Sequence, residues 1–389
     1  MTSTQTAPEP TLAKQAQQRF LSLDVFRGLT VAGMILVNTP GSWEYVYAPL
    51  RHAPWNGCTP TDLVFPFFLF AVGNALSFSM GKYQSLGSGK AVQKILTRSA
   101  LIFAIGLLLN WFPFVRLQDG EFVGRSFDNL RIFGVLQRIA LAYLGAALIV
   151  HFLKPRAAFI TGCVLLVLYW IILETFGDLT LEGNAVLPVD VWLVGEAHMY
   201  KGYFSEVLQK NIAFDPEGLL STIPAITSVI FGFLAGHYIR KEGSSFSSIA
   251  HLFFAGLLLI FGGLCWDMVF PINKPIWSSS YVLYTTGLAL SVLSMILFVV
   301  EMKGYRGWTN PFVLFGKNPL FIYVMSGVIV KLYFLVSVGD TNAYGGLYKY
   351  VFQPLAGNYF GSFLFALFHV ALLLLLGWYL DKRRIYIRV

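Results

Sequence analysis

His52 is the residue whose type and surroundings most directly indicate chemistry. It stands in the segment RHAPWNG, residues 51–57, just before a long apolar run. An imidazole, with an unperturbed pKa of about 6.5, can accept a proton at neutral pH from an amine or a hydroxyl during acyl transfer. The residues alone leave two interpretations open, a catalytic histidine and a histidine that only shapes its loop.

Side chains close to His52 in the sequence could take part in the same chemistry. Asn38 ends the preceding apolar segment, MILVN, and its amide N–H groups could stabilise an oxyanion. The indole of Trp55 could stack on a sugar ring. Cys58 is a less favoured option, as a nucleophile.

The helix expected after His52 begins with typical capping residues. Thr59 fits the N-cap, Pro60 fits the first turn, and Asp62 complements the positive end of the helix dipole. We therefore predict a structural role for Asp62. His369, near the middle of the last apolar segment, is the rival histidine, for which a buried hydrogen bond across helices is the ordinary explanation.

The composition predicts an all-α integral membrane protein. Of the 389 residues, 56% are hydrophobic and 12% are charged, and the mean hydropathy is +0.64. Ten apolar segments are long enough to cross a bilayer as helices. We predict spans at residues 21–39, 60–80, 97–116, 131–153, 157–176, 219–239, 249–271, 279–301, 310–336 and 358–380.

Basic residues follow every even-numbered predicted span. Examples are Lys82, Lys154, Arg240, Lys303 and Lys382. By the positive-inside rule, these loops and both termini face the cytoplasm, and His52 faces the other side. Anionic lipid headgroups account for the net charge of +8, so no nucleic-acid partner is expected.

The chain is expected to form one transmembrane domain, residues 19–389, after a disordered cytoplasmic tail, residues 1–18. The three cysteines lack paired spacing, and two of them lie inside predicted spans. We therefore expect neither a disulfide framework nor a metal site.

Ionisable side chains inside predicted spans are costly, so each marks a candidate site. Asp24 and Arg27 are three residues apart and could pair with each other or contact a ligand. Arg138 lies seven residues after Arg131, which predicts one shared face and a depth of about 10 Å below the outer end of the span. Its partner should be either an acidic side chain, such as Asp267, or a bound anion.

The segment FGKNP contains Lys317, Asn318 and Pro319 about two turns inside the cytoplasmic boundary of a span. The proline removes one hydrogen bond of the helix, and a broken helix beside a cation suits an anionic ligand. A plain kink with a snorkelling lysine is the alternative. A basic stripe at the start of the third span could bind lipid headgroups or a phosphorylated cofactor; it consists of Lys90, Lys94 and Arg98.

Several strings together resemble one known family. They are SLDVFRGLTVAGMILVN, HAPWNGCTPTDLVFPFFLFAVG, FDPEGLLSTIPAI, PINKPIWSSSYVL, FGKNP and KRRIYIRV. From about residue 19 to the C-terminus, the chain resembles the transmembrane acetyltransferases typified by lysosomal heparan-alpha-glucosaminide N-acetyltransferase. It looks closer still to bacterial relatives of that family.

The resemblance implies that acetyl passes from cytosolic acetyl-CoA to the amino group of glucosamine or a terminal glucosaminide. The acetyl group would cross a bacterial inner membrane to reach a periplasmic acceptor. The enzyme would be a homodimer. His52 and Asn38 match the catalytic positions of the family. Direct transfer to the amine and an acetyl-histidine intermediate both stay open.

This reaction needs a donor site on the cytoplasmic side and an acceptor site outside. We expect the donor near Lys317, Asn318, Arg138, Gln137, Arg98 and Arg27. We expect the acceptor near Trp55, Asn56, Asp215, Glu217, Asp267 and Trp277, with Trp266 as a further indole. Two rival functions also fit the sequence, an O-acyltransferase acting on a cell-envelope glycan and a multispanning sugar transporter.

Overall fold

The protein is seen in a computed structural model that describes residues 20–118 and 121–387. The predicted tail, residues 1–18, lies outside the described residues. Long apolar helices make up most of the described chain, because a helix satisfies its backbone N–H and C=O groups internally in a membrane.

The α-helices follow one another along the described chain, separated by loops of varied length. In chain order they are α1 (Leu21–Asn38), α2 (Pro60–Gln84), α3 (Ser88–Trp111), α4 (Val135–Phe152), α5 (Pro155–Phe176), α6 (Val186–Val194), α7 (Thr222–Glu242), α8 (Phe246–Asp267), α9 (Ser279–Leu297), α10 (Asn310–Lys317), α11 (Pro319–Tyr333), α12 (Ala343–Leu347), α13 (Gln353–Ala356) and α14 (Asn358–Lys382). Two π-helical turns, Phe298–Met302 and Tyr348–Phe352, follow α9 and α12.

Nine of the helices in the described part of the chain are long and apolar enough to cross a membrane. Each corresponds to one predicted span, which confirms the all-α membrane fold. Two helices begin at residues other than those predicted, and this changes the position of basic side chains. The third helix already begins at Ser88, so the basic stripe lies in its first turns, and the fourth begins only at Val135, so Arg131 precedes it.

The predicted span 310–336 is two helices rather than one. Helices α10 and α11 meet at Asn318 at an angle of 87°. Pro319 begins α11, and a proline there cannot donate the hydrogen bond that would continue α10. The structure therefore favours the broken helix over the plain kink.

In the described part of the chain, three short antiparallel strand pairs lie between the helices. They pair β1 (Val115–Gln118) with β2 (Glu121–Gly124), β3 (Tyr203–Ser205) with β4 (Lys210–Ile212), and β5 (Ser337–Val338) with β6 (Thr341–Asn342). We call the end of the bundle that carries loop 39–59 the His52 end. The opposite end, where α1 begins and α14 terminates, is the basic end.

Helices α1, α2, α7 and α9 are the most buried of the long helices, whereas α3, α5 and α8 are the most exposed. The α2 and α7 backbones approach closely at two glycines. A Cβ atom at Gly73 would lie 2.0 Å from the carbonyl oxygen of Val229, and one at Gly232 would lie 2.1 Å from that of Phe70. This contact fixes α2, which contributes to both sites described below.

Candidate active site

His52 and Asp62 form a hydrogen-bonded pair at the start of α2. His52 Nδ1 lies 2.6 Å from Asp62 Oδ1, and Asp62 is 1% exposed whereas the His52 side chain is 42% exposed. Asp62 Oδ2 accepts hydrogen bonds of 3.0 Å from the backbone N–H groups of Ala53 and Thr59. The carboxylate therefore fixes both the imidazole and the loop that carries it.

This arrangement determines which nitrogen of His52 can act as a base. The carboxylate of Asp62 accepts several hydrogen bonds and is suited to the ionised form, so the proton between Asp62 and His52 belongs on Nδ1. Nε2 then keeps its lone pair. The dyad can take a proton at Nε2 while Asp62 stabilises the resulting imidazolium.

Lys274, in the loop between α8 and α9, completes this cluster. Its Nζ lies 3.3 Å from Asp62 Oδ1 and 3.0 Å from His52 Nδ1. Burial lowers the pKa of Lys274 from its ordinary value, against the opposing influence of Asp62. With the Nδ1 proton directed at the carboxylate, the ammonium donates to Asp62 as well.

The loop that carries Lys274 is fastened to the loop that carries His52. The N–H of Gly57 donates to the carbonyl oxygen of Ile272 at 2.7 Å, and the side chain of the buried Asn273 donates to Asn56 Oδ1 at 3.0 Å. We call these two hydrogen bonds between the loops the joint. Asn56, predicted to bind the acceptor, is part of the joint and remains exposed. The joint keeps Lys274 beside the dyad.

Two further residues of the predicted reaction site differ in accessibility. Asn38 is the last residue of α1, and its side chain is exposed, without a hydrogen bond to His52 in the described part of the chain. Cys58 is half-buried, and burial beside Asp62 raises the pKa of its thiol to about 12. A thiol that stays protonated at neutral pH is a poor nucleophile.

Asp215 and Glu217, predicted to bind the acceptor, are both paired with Arg131. Arg131 donates to Asp215 at 2.7 and 3.1 Å and to Glu217 at 2.5 Å, and its guanidinium lies over the ring of Tyr200. Asp215 is fully buried. Its carboxylate is therefore occupied by Arg131, whereas Glu217 keeps its second oxygen outside these bonds.

Arg131→Ala should lower the free energy of unfolding by about 3 kcal/mol or more, because it leaves the buried carboxylate of Asp215 without its cation. Thermal unfolding of the purified protein in detergent would measure this change. Lys349→Ala is the control, since it removes a solvent-exposed ion pair with Asp340 that contributes little to stability. Equal effects of the two substitutions would contradict the prediction.

Arg138 does not pair with Asp267, the acidic side chain suggested as its partner. It is 0% exposed, donates to the carbonyl oxygen of Gly218 and to the hydroxyl of Ser221, and lies over the ring of Trp277. Asp267 is exposed, and its side chain accepts from the N–H of Ile272 instead. Arg138 and Arg131 do not share a helix face either, because Arg131 lies outside α4.

The indoles predicted to face a sugar are engaged in the protein. Trp277 is 1% exposed and packs against Phe65, so it presents no face to a ligand. Trp55 is half-buried, donates to the carbonyl oxygen of Leu179, and packs edge-on against Phe214. The sequence could not show this, because each packing partner comes from a distant segment.

A cavity of about 780 Å³ lies at the basic end. Four cations line it: Arg27, Lys82, Arg98 and Lys317. Arg27 pairs with Asp24 and donates to Gly316, and Lys317 pairs with Asp381. Lys82 and Arg98 form no ion pair with the described residues, and Arg98 lies over the ring of Tyr143.

Three residues predicted at the donor site, Asn318, Gln137 and Arg138, do not line this cavity. Asn318 is 1% exposed and holds the C-terminal segment, donating to Ile385 and accepting from the N–H of Ile387. Through this clamp it places Tyr386 and Ile387 on the cavity wall. Gln137 is buried against Gly106 and does not line the cavity.

Helix α2 extends from the cavity to the dyad. The cavity-lining residues Phe68 and Lys82 are separated by about 21 Å of helix, and Asp62 lies about 9 Å beyond Phe68. In between, Phe65 packs against Trp277 with ring centroids 5.1 Å apart. An aromatic pair therefore separates the deep end of the cavity from the dyad.

Asp62 and Lys274 are the residues that the sequence analysis missed as parts of a reaction site. Asp62 was assigned only to helix capping, although its spacing of ten residues from His52 across a turn could have indicated a contact. Lys274 lies 222 residues from His52. Lys274 stands in the string PINKPIW, which contributes to the family resemblance. That string indicated no role for Lys274.

The chain is similar to proteins of known activity. The family model for the catalytic region of heparan-alpha-glucosaminide N-acetyltransferase matches residues 19–263, which include His52 and Asp62. The chain is 30% identical to the heparan-alpha-glucosaminide N-acetyltransferases of Mus musculus, over 370 residues, and Homo sapiens, over 360 residues. The alignments cover 81% and 79% of this chain, which spans about half the length of these relatives, 54% and 52%.

Proposed function

Because the chain belongs to the heparan-alpha-glucosaminide N-acetyltransferase family, we propose that it transfers acetyl from acetyl-CoA to the amino group of glucosamine or a terminal glucosaminide. One structural observation carries the proposal. A histidine–carboxylate dyad at one end of α2 and a cation-lined cavity at the other provide a base and an anion site on opposite ends of one helix.

The cavity at the basic end is the proposed donor site. Acetyl-CoA has its phosphates at one end and its thioester at the other, joined by a long arm. Arg98 and Lys82, without ion pairs to described residues, would hold the phosphates, and the apolar walls at Phe68 and Ile139 would contact the arm. The positive-inside rule supports the proposal that this end faces the cytoplasm.

At the His52 end, the acceptor amine would attack the thioester carbonyl carbon. His52 Nε2 would take the proton of the amine as the C–N bond forms, while Asp62 holds Nδ1–H. Asn38, exposed at the end of α1, would donate to the thioester oxyanion. As the C–S bond breaks, the imidazolium would return its proton to the CoA thiolate. The alternative is that His52 carries the acetyl group in between.

The proposed acceptor site lies around the joint of the two loops. Asn56, Glu217 and Asp267 are the predicted acceptor residues whose side chains keep hydrogen-bonding atoms outside the contacts described above. An amino sugar presents an ammonium and several hydroxyls, which amide and carboxylate oxygens can bind. The homodimer and the bacterial inner membrane remain predictions from the resemblance alone.

Arg98→Ala should raise the KM for acetyl-CoA by about tenfold or more, because a charge-assisted hydrogen bond to a phosphate would be lost. Turnover at saturating acetyl-CoA should change little. Lys94→Ala is the matched control, since it removes a cation one turn away on α3 that does not line the cavity. Equal rises in KM for both variants would contradict a specific role of Arg98.

The function itself is tested with purified protein in proteoliposomes supplied with acetyl-CoA and glucosamine. We expect release of free CoA together with N-acetylglucosamine, and activity only when the two substrates are on opposite sides of the membrane. Uptake of sugar without release of CoA would indicate the transporter instead. A product whose acetyl group is removed by hydroxylamine would indicate O-acylation.

A further inference from the structure

A second cavity, of about 390 Å³, lies at the basic end among the ends of α2, α4 and α7. We call it the second basic pocket. Five side chains with basic nitrogens line it: His151, Lys154, His237, Arg240 and Lys241. None of the described residues that line it is acidic, so its field attracts anions.

Two further features of the second basic pocket favour an anion. His151 Nδ1 is buried and has no hydrogen-bond partner in the described part of the chain. Helix α5 begins at Pro155 on the pocket wall, and the start of a helix carries unpaired N–H groups and the positive end of its dipole. Glu242, which follows Lys241 in the sequence, pairs with it at 3.1 Å but does not line the pocket.

Apolar side chains share the wall with these cations. Phe152 and Leu153 line the pocket and are 64% and 39% exposed. They lie directly beside Lys154, at the end of a membrane-spanning helix. A phosphate with an attached hydrocarbon chain would satisfy both parts of this surface, the phosphate on the cations and the chain on the apolar side chains.

The second basic pocket is separate from the proposed donor cavity. Ser77 and Gly81 of α2 line the pocket, whereas Ser79 and Lys82 line the donor cavity. Arg240 donates to the carbonyl oxygen of Ser77 and so has a fixed position. We propose that the second basic pocket binds a phosphate group, carried by a lipid headgroup or by a small soluble phosphate, independently of acetyl transfer.

The test uses the full-length protein in uncharged detergent. Its thermal midpoint is measured against increasing concentrations of inorganic phosphate, dihexanoylphosphatidylglycerol or the zwitterionic dihexanoylphosphatidylcholine, which yields an apparent Kd for each. The double variant Lys154→Ala/Lys241→Ala should weaken the apparent Kd by about tenfold or more. Lys90→Ala/Lys94→Ala is the matched control. It removes two exposed cations that also lie at the basic end but do not line the pocket. It should retain the affinity of the wild type.

The outcomes separate the sources of the phosphate. A response to phosphatidylglycerol without a response to inorganic phosphate assigns the site to a lipid, and a response to inorganic phosphate assigns it to the phosphate group itself. His237→Ala serves as a second variant if the double variant unfolds. The proposal is overturned by wild-type affinity in the pocket variants, by equal losses in pocket and control variants, or by no response of the wild type to either anionic probe.

Discussion

His52→Ala should lower the turnover number of acetyl transfer by about 10²–10⁴-fold, the usual contribution of a positioned general base. The physical reason is that Nε2 of His52 is the atom left free by the hydrogen bond between Nδ1 and Asp62. Release of CoA at saturating acetyl-CoA and glucosamine measures the change. The KM for acetyl-CoA should change little, because the donor cavity lies at the other end of α2.

Cys58→Ala is the control for His52→Ala. It should keep wild-type turnover, because the thiol has a pKa raised to about 12 by burial and is not an effective nucleophile. If the His52→Ala variant kept the full turnover number, His52 would have no part in the mechanism. The proposed overall reaction would not be contradicted. An acetylated His52 peptide, recovered after mixing with acetyl-CoA alone, would establish the two-step route.

Asp62→Asn should lower the turnover number by up to about 10⁴-fold, as does the loss of the aspartate in a catalytic triad. An asparagine can turn its NH₂ group towards Nδ1, which would place the imidazole proton on Nε2 and abolish its function as a base. The substitution also leaves Lys274 without its carboxylate. The same CoA-release assay measures this loss.

Thr59→Ala separates the catalytic effect of Asp62 from its capping effect. Thr59 Oγ1 donates to the carbonyl oxygen of Arg51 at 2.6 Å and lies 3.0 Å from Asp62 Oδ2, so this variant removes both contacts but leaves the carboxylate beside His52. It should cost about 1 kcal/mol of stability and little turnover. If Thr59→Ala lost as much turnover as Asp62→Asn, Asp62 would be a capping residue, as its sequence position alone suggested.

The helices could be predicted from the sequence because one physical requirement dominates them. Each long apolar run must satisfy its backbone groups internally and span the hydrocarbon core, and both conditions can be recognised locally. The position of Arg131 could not be recognised in this way. Its bond to Asp215 holds it outside α4, although the apolar residues around it fit a continuing helix.

The candidate site could be predicted only in part, and the missing part depends on distant contacts. His52 was found because its loop is unusual in itself. The carboxylate that orients it was assigned another role, since Asp62 also caps α2, and Lys274 approaches only through the joint between Gly57 and Ile272. Trp277 was misjudged for the same reason, because its burial depends on Phe65 and Arg138.

The joint between the two loops also sets the order in which the protein can mature. Ribosomes deliver the chain from its N-terminus, so the segment with His52 leaves the ribosome long before the segment with Lys274. Until α8 and α9 have been inserted, Gly57 and Asn56 have no partners for their hydrogen bonds. A chain halted during synthesis before residue 272 therefore contains His52 and Asp62 but lacks the contacts that hold their loop, so the candidate site is completed only late in biogenesis.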